Sequence, residues 1–356
     1  MKRPLVVKFG SSLVVDPSGR PRRALLRARA DELAAIVADG IPVCIVSSGA
    51  IALGLRRLGT TKRPTSLPRL QAASALGQAA LQRAWQDALR PHGLETAQIL
   101  LTGAEIAERR AYVNARRALS ALFSLGAIPV VNENDATATD EISFGDNDAL
   151  AAQVAVLVQA RMLVLLTSVP GVLAEPTGAG AVVIEDGAAA RAATFGARST
   201  HGSGGMESKV AAAELAAGAG IPTVIAGGRD DGVLTGLLAG RPGGTRFSAA
   251  PEPAPAFKLW LRHGKRIGGR IHVDAGARRA LVESGASLLA VGVSTTEGGF
   301  RAGDGVELVD HEGVVFGRGI ASVDATELAG RPSGVEAVHR DRLALIESAP
   351  LEHGTD

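Results

Sequence analysis

Two lysines sit where chemistry could use them, in a chain that otherwise prefers arginine: 32 of its basic residues are Arg and 6 are Lys. The first, Lys8, interrupts an apolar, β-branched run, "PLVVKFGSSLVV" at 4–15. A charge in a core-bound strand is costly to bury without a partner, so Lys8 faces either solvent or a ligand that needs a cation. The turn after it offers backbone N–H groups of Gly10, Ser11 and Ser12 that could cradle a phosphate. The second, Lys209, lies in "HGSGGMESKVAAAELA" at 201–216. Gly204 and Gly205 let the backbone approach a ligand, and Lys209 falls within the first turn or so of the helix that follows, where the dipole favours anions. A bound phosphate would resolve that conflict; a flexible glycine loop with an incidental lysine is the plainer alternative. The spacing matches neither a Walker loop nor a dinucleotide fingerprint.

Two further segments are polar where strands should end. In "VSSGAIALG", Ser47, Ser48, Gly49 and Ala50 join a strand to a helix, which suits an anion at the helix start or a simple serine cap. In "VVNENDATATDEISFGDNDALAAQVA" at 130–155, Asn132, Glu133, Asn134 and Asp135 form one polar knot and Asp146, Asn147 and Asp148 a second. Asp148 is expected to begin the next helix, but capping needs one residue and here stand two Asp and an Asn. Carboxylates beside amides suit a metal, an amino group or the positioning of lysines.

The elements that must hold these residues alternate. Strand-like runs "PLVVKFG", "IPVCIVSS", "ETAQILL", "AIPVVNEND", "RMLVLLTS" and "IPTVIAGG" are separated by helical stretches at 22–39, 66–90, 111–125 and 205–218. Strands apolar on both faces and divided by helices predict a layered α/β fold with a mainly parallel sheet, its ligands at the strands' carboxyl ends. Near residue 250 the composition changes: "AAPEPAPAF" is an extended spacer, followed by short runs ("FKLWLRH", "GRIHVD", "SLLAVGV", "GDGVELVD", "EGVVFGRGIAS") and one helix at roughly 275–284. The expected organisation is a ligand-binding domain at 1–248, a linker at 249–256, a small β-rich domain at 257–340 and a tail at 341–356.

With 46% hydrophobic and 21% charged residues the chain has the makings of an ordinary globular core. A net charge of +2 demands neither nucleic acid nor a membrane. The single cysteine, Cys44, excludes an internal disulfide and reads as a small buried hydrophobe, and no Cys/His spacing suggests zinc. No long apolar stretch appears and "MKRPLVVKFG" is too short and soon too polar for a secretory signal, so a cytoplasmic location is expected.

Taken in order, "VVKFGSS", "IVSSGAIALG", "LLTGAEI", "YVNARRAL", "IPVVNENDA", "FGDNDALAAQVA" and "GSGGMESK" resemble the amino acid kinase family, and within it the branch that phosphorylates the side-chain carboxylate of glutamate. The combination of "VNENDA" with "GDND" separates that branch from the aspartate, acetylglutamate and uridylate kinases. "GASLLAVGV", "GGFRAGDGVELVD" and "GVVFGRGI" resemble a PUA domain, a small RNA-binding-type module. The resemblance implies an amino acid kinase-type α/β/α fold, ATP and Mg²⁺, and glutamyl 5-phosphate as product at the start of proline synthesis. It implies catalytic roles for Lys8, Lys209 and Asp148, the carboxylate holding both lysines, with Gly10 and Gly49 as backbone donors. It places glutamate against Ser48, Asp135 and Asn147, and the nucleotide against Lys8, Gly10, Thr167, Ser168, Ser203, Gly204, Gly205, Met206, Glu207, Ser208 and Lys209. No direct protein ligand for the metal is implied. Where the family commonly reads Thr-Asp this chain has Thr167-Ser168, which bears on nucleotide affinity or base preference rather than on the chemistry. Proline as an inhibitor, a glutamyl phosphate reductase as a partner and a homo-oligomer also follow from the resemblance. So does RNA at the basic stretch Lys258–Arg279, where Lys258, Arg262, Lys265, Arg266, Arg270, Arg278 and Arg279 stand against Asp274, with only Phe257 and Trp260 for stacking. A structural or regulatory role of this domain is the alternative to RNA binding.

Overall fold

The computed structural model describes residues 2–60, 62–137, 146–174, 182–196, 204–254, 258, 261 and 267–346. It divides into two compact units, Met1–Pro253 and Ala254–Asp356.

The first unit is built on seven strands: β1 (Leu5–Phe9), β2 (Val43–Ser47), β3 (Thr96–Leu101), β4 (Ile128–Glu133), β5 (Met162–Thr167), β6 (Thr223–Gly227) and β7 (Thr245–Phe247). Their order is β3-β4-β2-β1-β5-β6-β7, all parallel except β7 against β6. The strand order reverses direction between β1 and β5, the place where open α/β sheets open a crevice beyond the strand ends. The helices are α1 (Ser11–Val14), α2 (Arg23–Ala38), α3 (Ala50–Arg57), α4 (Leu67–Leu89), α5 (Gly103–Ala107), α6 (Arg109–Ser124), α7 (Asp146–Leu157), α8 (Gly187–Gly196), α9 (Gly204–Gly218) and α10 (Val233–Leu238).

Alternation along β1 decides where Lys8 goes. Leu5, Val7 and Phe9 join a core with Leu26 and Leu33 of α2 and with Leu81 and Trp85 of α4. Trp85 crosses the Phe9 ring edge-on at 4.6 Å between centroids, and its indole N–H donates to Ser47 Oγ at 2.9 Å. Because strand side chains alternate faces, Lys8 turns to the other face, where α7 packs on β1. Central position and burial on both faces explain why β1 reads as a continuous apolar run.

Helices α3 and α4 cross at backbone distance. A methyl group on Gly77 would overlap the carbonyl of Ala50, and one on Gly54 the carbonyl of Ala73. Only glycine permits that approach, and it sets the start of α3 and the middle of α4 beside the ends of β2 and β4.

In the second unit β8 (Ile267–Val273), β9 (Leu288–Leu289), β10 (Val293–Glu297), β11 (Gly305–Val309), β12 (Val315–Ala321) and β13 (Glu336–Leu345) form one sheet in the order β10-β8-β11-β12-β13-β9. Only β8 and β11 run parallel. Its core gathers Ile271, Leu281, Phe300, Phe316 and Leu328. The helix expected at 275–284 is Ala275–Ser284, capped by Asp274, whose carboxylate accepts from the Ala277 N–H at 2.7 Å. Two expectations need correction. The run at 257–263, grouped with short β segments, is described only at Lys258 and Leu261, and both are helical. A second short helix, Ala325–Leu328, also joins the one expected. Among the described residues no helix is long and apolar enough to cross a membrane.

Candidate active site

Beyond the carboxyl ends of β1, β2, β4 and β5 lies a cavity of about 480 Å³, lined in part by Lys8, Gly10, Ser48, Asp135, Asn147, Asp148, Thr167, Gly205 and Lys209. Residues more than 200 positions apart in the chain therefore share one wall.

At its floor, Asp148 is fully buried and Lys8 is 4% exposed. Lys8 Nζ is ion-paired to Asp148 Oδ1, and Lys209 Nζ lies 3.1 Å from Oδ2. Ser208 Oγ also donates to Oδ2 at 3.0 Å, and Lys209 Nζ donates to the Gly205 carbonyl at 2.8 Å. Burial pushes the Asp148 carboxyl up, but the attraction of Lys8 and Lys209 outweighs it and holds the group below its ordinary value of 3.8. For Lys8, burial is the largest influence and lowers the ammonium below its usual 10.5; Asp148 opposes this while the like charge of Lys209 reinforces it. Two ammonium groups share one carboxylate, so the trio carries a formal charge of +1 in a desolvated floor. Such a floor attracts an anion.

The expectation that Asp148 begins its helix is corrected: Asp148 lies inside α7 and is committed to the lysines instead. Lys209 lies near the start of α9, as expected, and its Nζ reaches Asp148. Ser48 does not cap α3. The cap position is Gly49, at φ +116°, where a side chain would be strained and would press on Val15. Ser48 is released for Asn147, whose Nδ2 donates to Ser48 Oγ at 3.1 Å while its Oδ1 accepts from the Glu133 N–H at 3.3 Å.

Asp135 is buried and accepts from Ser74 Oγ at 2.5 Å. Gln78, one turn further along α4, accepts from Asn132 Nδ2 at 3.2 Å and donates to the Glu133 carbonyl at 3.4 Å. Ser74 and Gln78 escaped the sequence reading, because polar residues in an Ala-rich helix look like solvent-facing ones until the Gly54–Gly77 crossing turns them inward. Arg63 and the turn residues Asp16, Pro17 and Gly19, which also line the cavity, were missed too. Asp16 had a detectable signal in "DPSGR", an Asx-type turn whose carboxylate accepts the N–H groups of Ser18 and Arg20.

The other proposed nucleotide contacts divide. Gly10, Thr167, Gly205 and Lys209 line the cavity. Ser168 is exposed and stands outside the lining, as do Met206 and Glu207 in the first turn of α9. Gly204 opens α9, Ser208 is engaged with Asp148, and Ser203 lies outside the described residues. Among the described residues no cluster of His, Cys, Asp and Glu could hold a metal. Cys44 is fully buried in β2, and burial pushes its thiol well above the usual range, as for an inert core residue.

A sheet of this topology with two lysines and an aspartate at its switch point defines a class. The amino acid kinase family matches residues 3–227, and the PUA domain matches 269–338. The chain belongs to the amino acid kinase family, with a C-terminal PUA domain, and is a kinase. The relatives it resembles are more particular. A protein of Methylobacillus flagellatus named glutamate 5-kinase is 42% identical over 362 residues, covering 96% of this chain and 97% of that one. Glutamate 5-kinases of Thermus thermophilus, at 43% with 97% and 98% covered, and of Halorhodospira halophila, at 42% with 96% of each covered, agree with it.

Proposed function

We propose that this chain transfers the γ-phosphoryl group of ATP to the side-chain carboxylate of L-glutamate, giving L-glutamyl 5-phosphate and ADP. The observation that carries the reading is the convergence of Lys8 and Lys209 on Asp148 at the floor of a cavity whose other side presents Ser48, Asp135 and Asn147. The names of relatives 42–43% identical over nearly the whole chain support the same substrate.

The chemistry suits the site. A glutamate carboxylate is ionised at neutral pH, so the nucleophile needs no general base. What remains is to align it with the γ-phosphorus and to neutralise charge gathering on the transferred group and on the leaving ADP. Lys8 and Lys209 supply that charge, one from a strand and one from a helix, and Asp148 keeps both in place without excess rotamer freedom. Asp135 can pair with the α-ammonium of glutamate, and Ser48 and Asn147 can bond its polar ends. Asp148 is held by both lysines, so Mg²⁺ would come on the ATP phosphates rather than through this carboxylate. Bound there, it would neutralise phosphate charge.

The product is a labile acyl phosphate, which places the reaction before a reductase, at the head of proline synthesis. Proline, a cyclised relative of glutamate, is expected to compete for the same subsite: saturating proline should raise the apparent KM for glutamate, and unchanged kinetics would remove that part of the reading. The substrate test is a panel. With ATP, Mg²⁺ and hydroxylamine, glutamate should give a hydroxamate while aspartate and acetylglutamate do not, and uridine monophosphate should give no ADP. Robust turnover of another acceptor, with none of glutamate, would reassign the substrate.

A further inference from the structure

Helix α2 carries a buried ion pair that the phosphotransfer chemistry leaves unused. Arg29 is 1% and Glu32 7% exposed, and Arg29 Nη2 lies 3.0 Å from Glu32 Oε1. Burying such a pair is costly unless its remaining donors and acceptors find partners, and those found here come from one segment: its backbone, and the exposed Asp231 carboxylate, which lies 3.4 Å from Arg29 Nη2. Arg29 Nη1 donates to the carbonyls of Asp230 at 2.5 Å and Gly228 at 3.3 Å. Glu32 Oε2 accepts the N–H groups of Leu234 at 2.7 Å and Thr235 at 3.3 Å. The pair therefore clamps 228–235, the stretch leaving β6 and entering α10.

That stretch backs one wall of the cavity. The Gly228 N–H donates to the carbonyl of Thr167, a lining residue, at 2.8 Å. Gly228 also packs so closely on Leu13 of α1 that any side chain there would collide with it. Leu13 directly follows Ser11 and Ser12, which line the cavity beside Lys8. The same helix holds this turn from a second point, since Arg22 Nε, at the start of α2, donates to the Ser12 carbonyl at 2.9 Å.

We propose that Arg29 and Glu32 are positioning residues for the nucleotide, acting through 228–235 on Thr167 and on the turn after Lys8. The proposal deepens the phosphotransfer reading, since it takes this wall to face ATP. None of the contacts of the pair reaches Ser48, Asp135 or Asn147, so its effect is confined to one substrate.

The test uses the full chain with Glu32→Gln, Arg29→Met and Arg29→Lys. Gln at 32 keeps an acceptor for the Leu234 N–H but removes the charge that holds Arg29. Hydroxamate kinetics, with ATP and glutamate varied separately, should show KM for ATP raised roughly ten-fold in Glu32→Gln, as for one lost charge-assisted contact, with KM for glutamate and kcat within about two-fold. Arg29→Lys should recover part of the loss seen in Arg29→Met. The rise in thermal midpoint on adding ADP should also shrink in Glu32→Gln, a readout that needs no turnover. It separates this proposal from the choice of acceptor: a wild type that binds ADP without using glutamate would sink only the substrate. If Arg29→Met does not fold, Glu32→Gln decides. Equal changes in both KM values, or an unchanged KM for ATP with a full ADP shift, would make the pair merely structural and overturn the proposal.

Discussion

Asp148 can hold two ammonium groups because it has two oxygens and each lysine takes one. Replacing it by Asn keeps the shape and removes the charge, leaving Lys8 buried without its counter-ion. Breaking a buried pair in this way costs about 3–5 kcal/mol, so Asp148→Asn should lower the urea midpoint markedly as well as abolish turnover. The acid limb gives a finer reading. Since the folded value lies below 3.8, the contribution of Asp148 is fully present above that pH and is lost as pH falls through the folded value; Asp148→Asn should flatten this part of the stability profile. Lys8 behaves oppositely at the alkaline end. Its folded value lies below 10.5, so the folded protein releases the proton first and kcat/KM for ATP should fall at a pH lower than an ordinary lysine would give. A decline only above 10.5 would contradict this. Lys8 and Lys209 were legible from their residue types in otherwise apolar or glycine-rich settings, whereas the role of Asp148 came from the family resemblance. That Asp148 works from inside α7 rather than as its cap was not legible, because cap and interior differ by residues too few for sequence to resolve.

The elements contribute by closeness. The crossing of α3 and α4 at Gly54 and Gly77 puts Ser74 against Asp135 and Gln78 against Asn132. Gly77→Ala would force the helices apart, at a cost of about 1–3 kcal/mol or more from overpacking, and should raise KM for glutamate more than KM for ATP. Ser74→Ala, which leaves the crossing intact, should also weaken glutamate; if it leaves that KM unchanged, Asp135 is held by other contacts. The strands were legible because β1, β2, β4, β5 and β6 are buried apolar runs between helices, a pattern with few alternatives. The inward role of Ser74 was not, since it depends on a helix packing set by two glycines distant in sequence. The basic stretch in the second unit shows the same limit. Arg270 pairs with Glu307 at 3.1 Å, and Arg278 with Asp310 at 3.1 Å while lying over the Phe316 ring. These acids stand on other strands or turns, invisible in a local count of charge.

For the whole molecule, the described lining of the cavity runs from Lys8 to Lys209, within Met1–Pro253. A chain ending at Pro253 should therefore retain glutamate-dependent turnover, measured as hydroxamate formed per folded protein; a folded but inactive fragment would show that the PUA unit completes the site. The order of the sheet is the reason so distant residues meet. With β1 and β5 adjacent, the first lysine and the helices that follow β4 and precede β6 are brought to one crevice. The most direct test of that convergence is the kcat of Lys8→Ala and Lys209→Ala, each checked for cooperative unfolding, in the glutamate hydroxamate assay. Both should fall by roughly 100-fold or more, as for removal of a charge that stabilises the transition state. Glutamate-dependent turnover near the wild-type rate in either folded variant would contradict it.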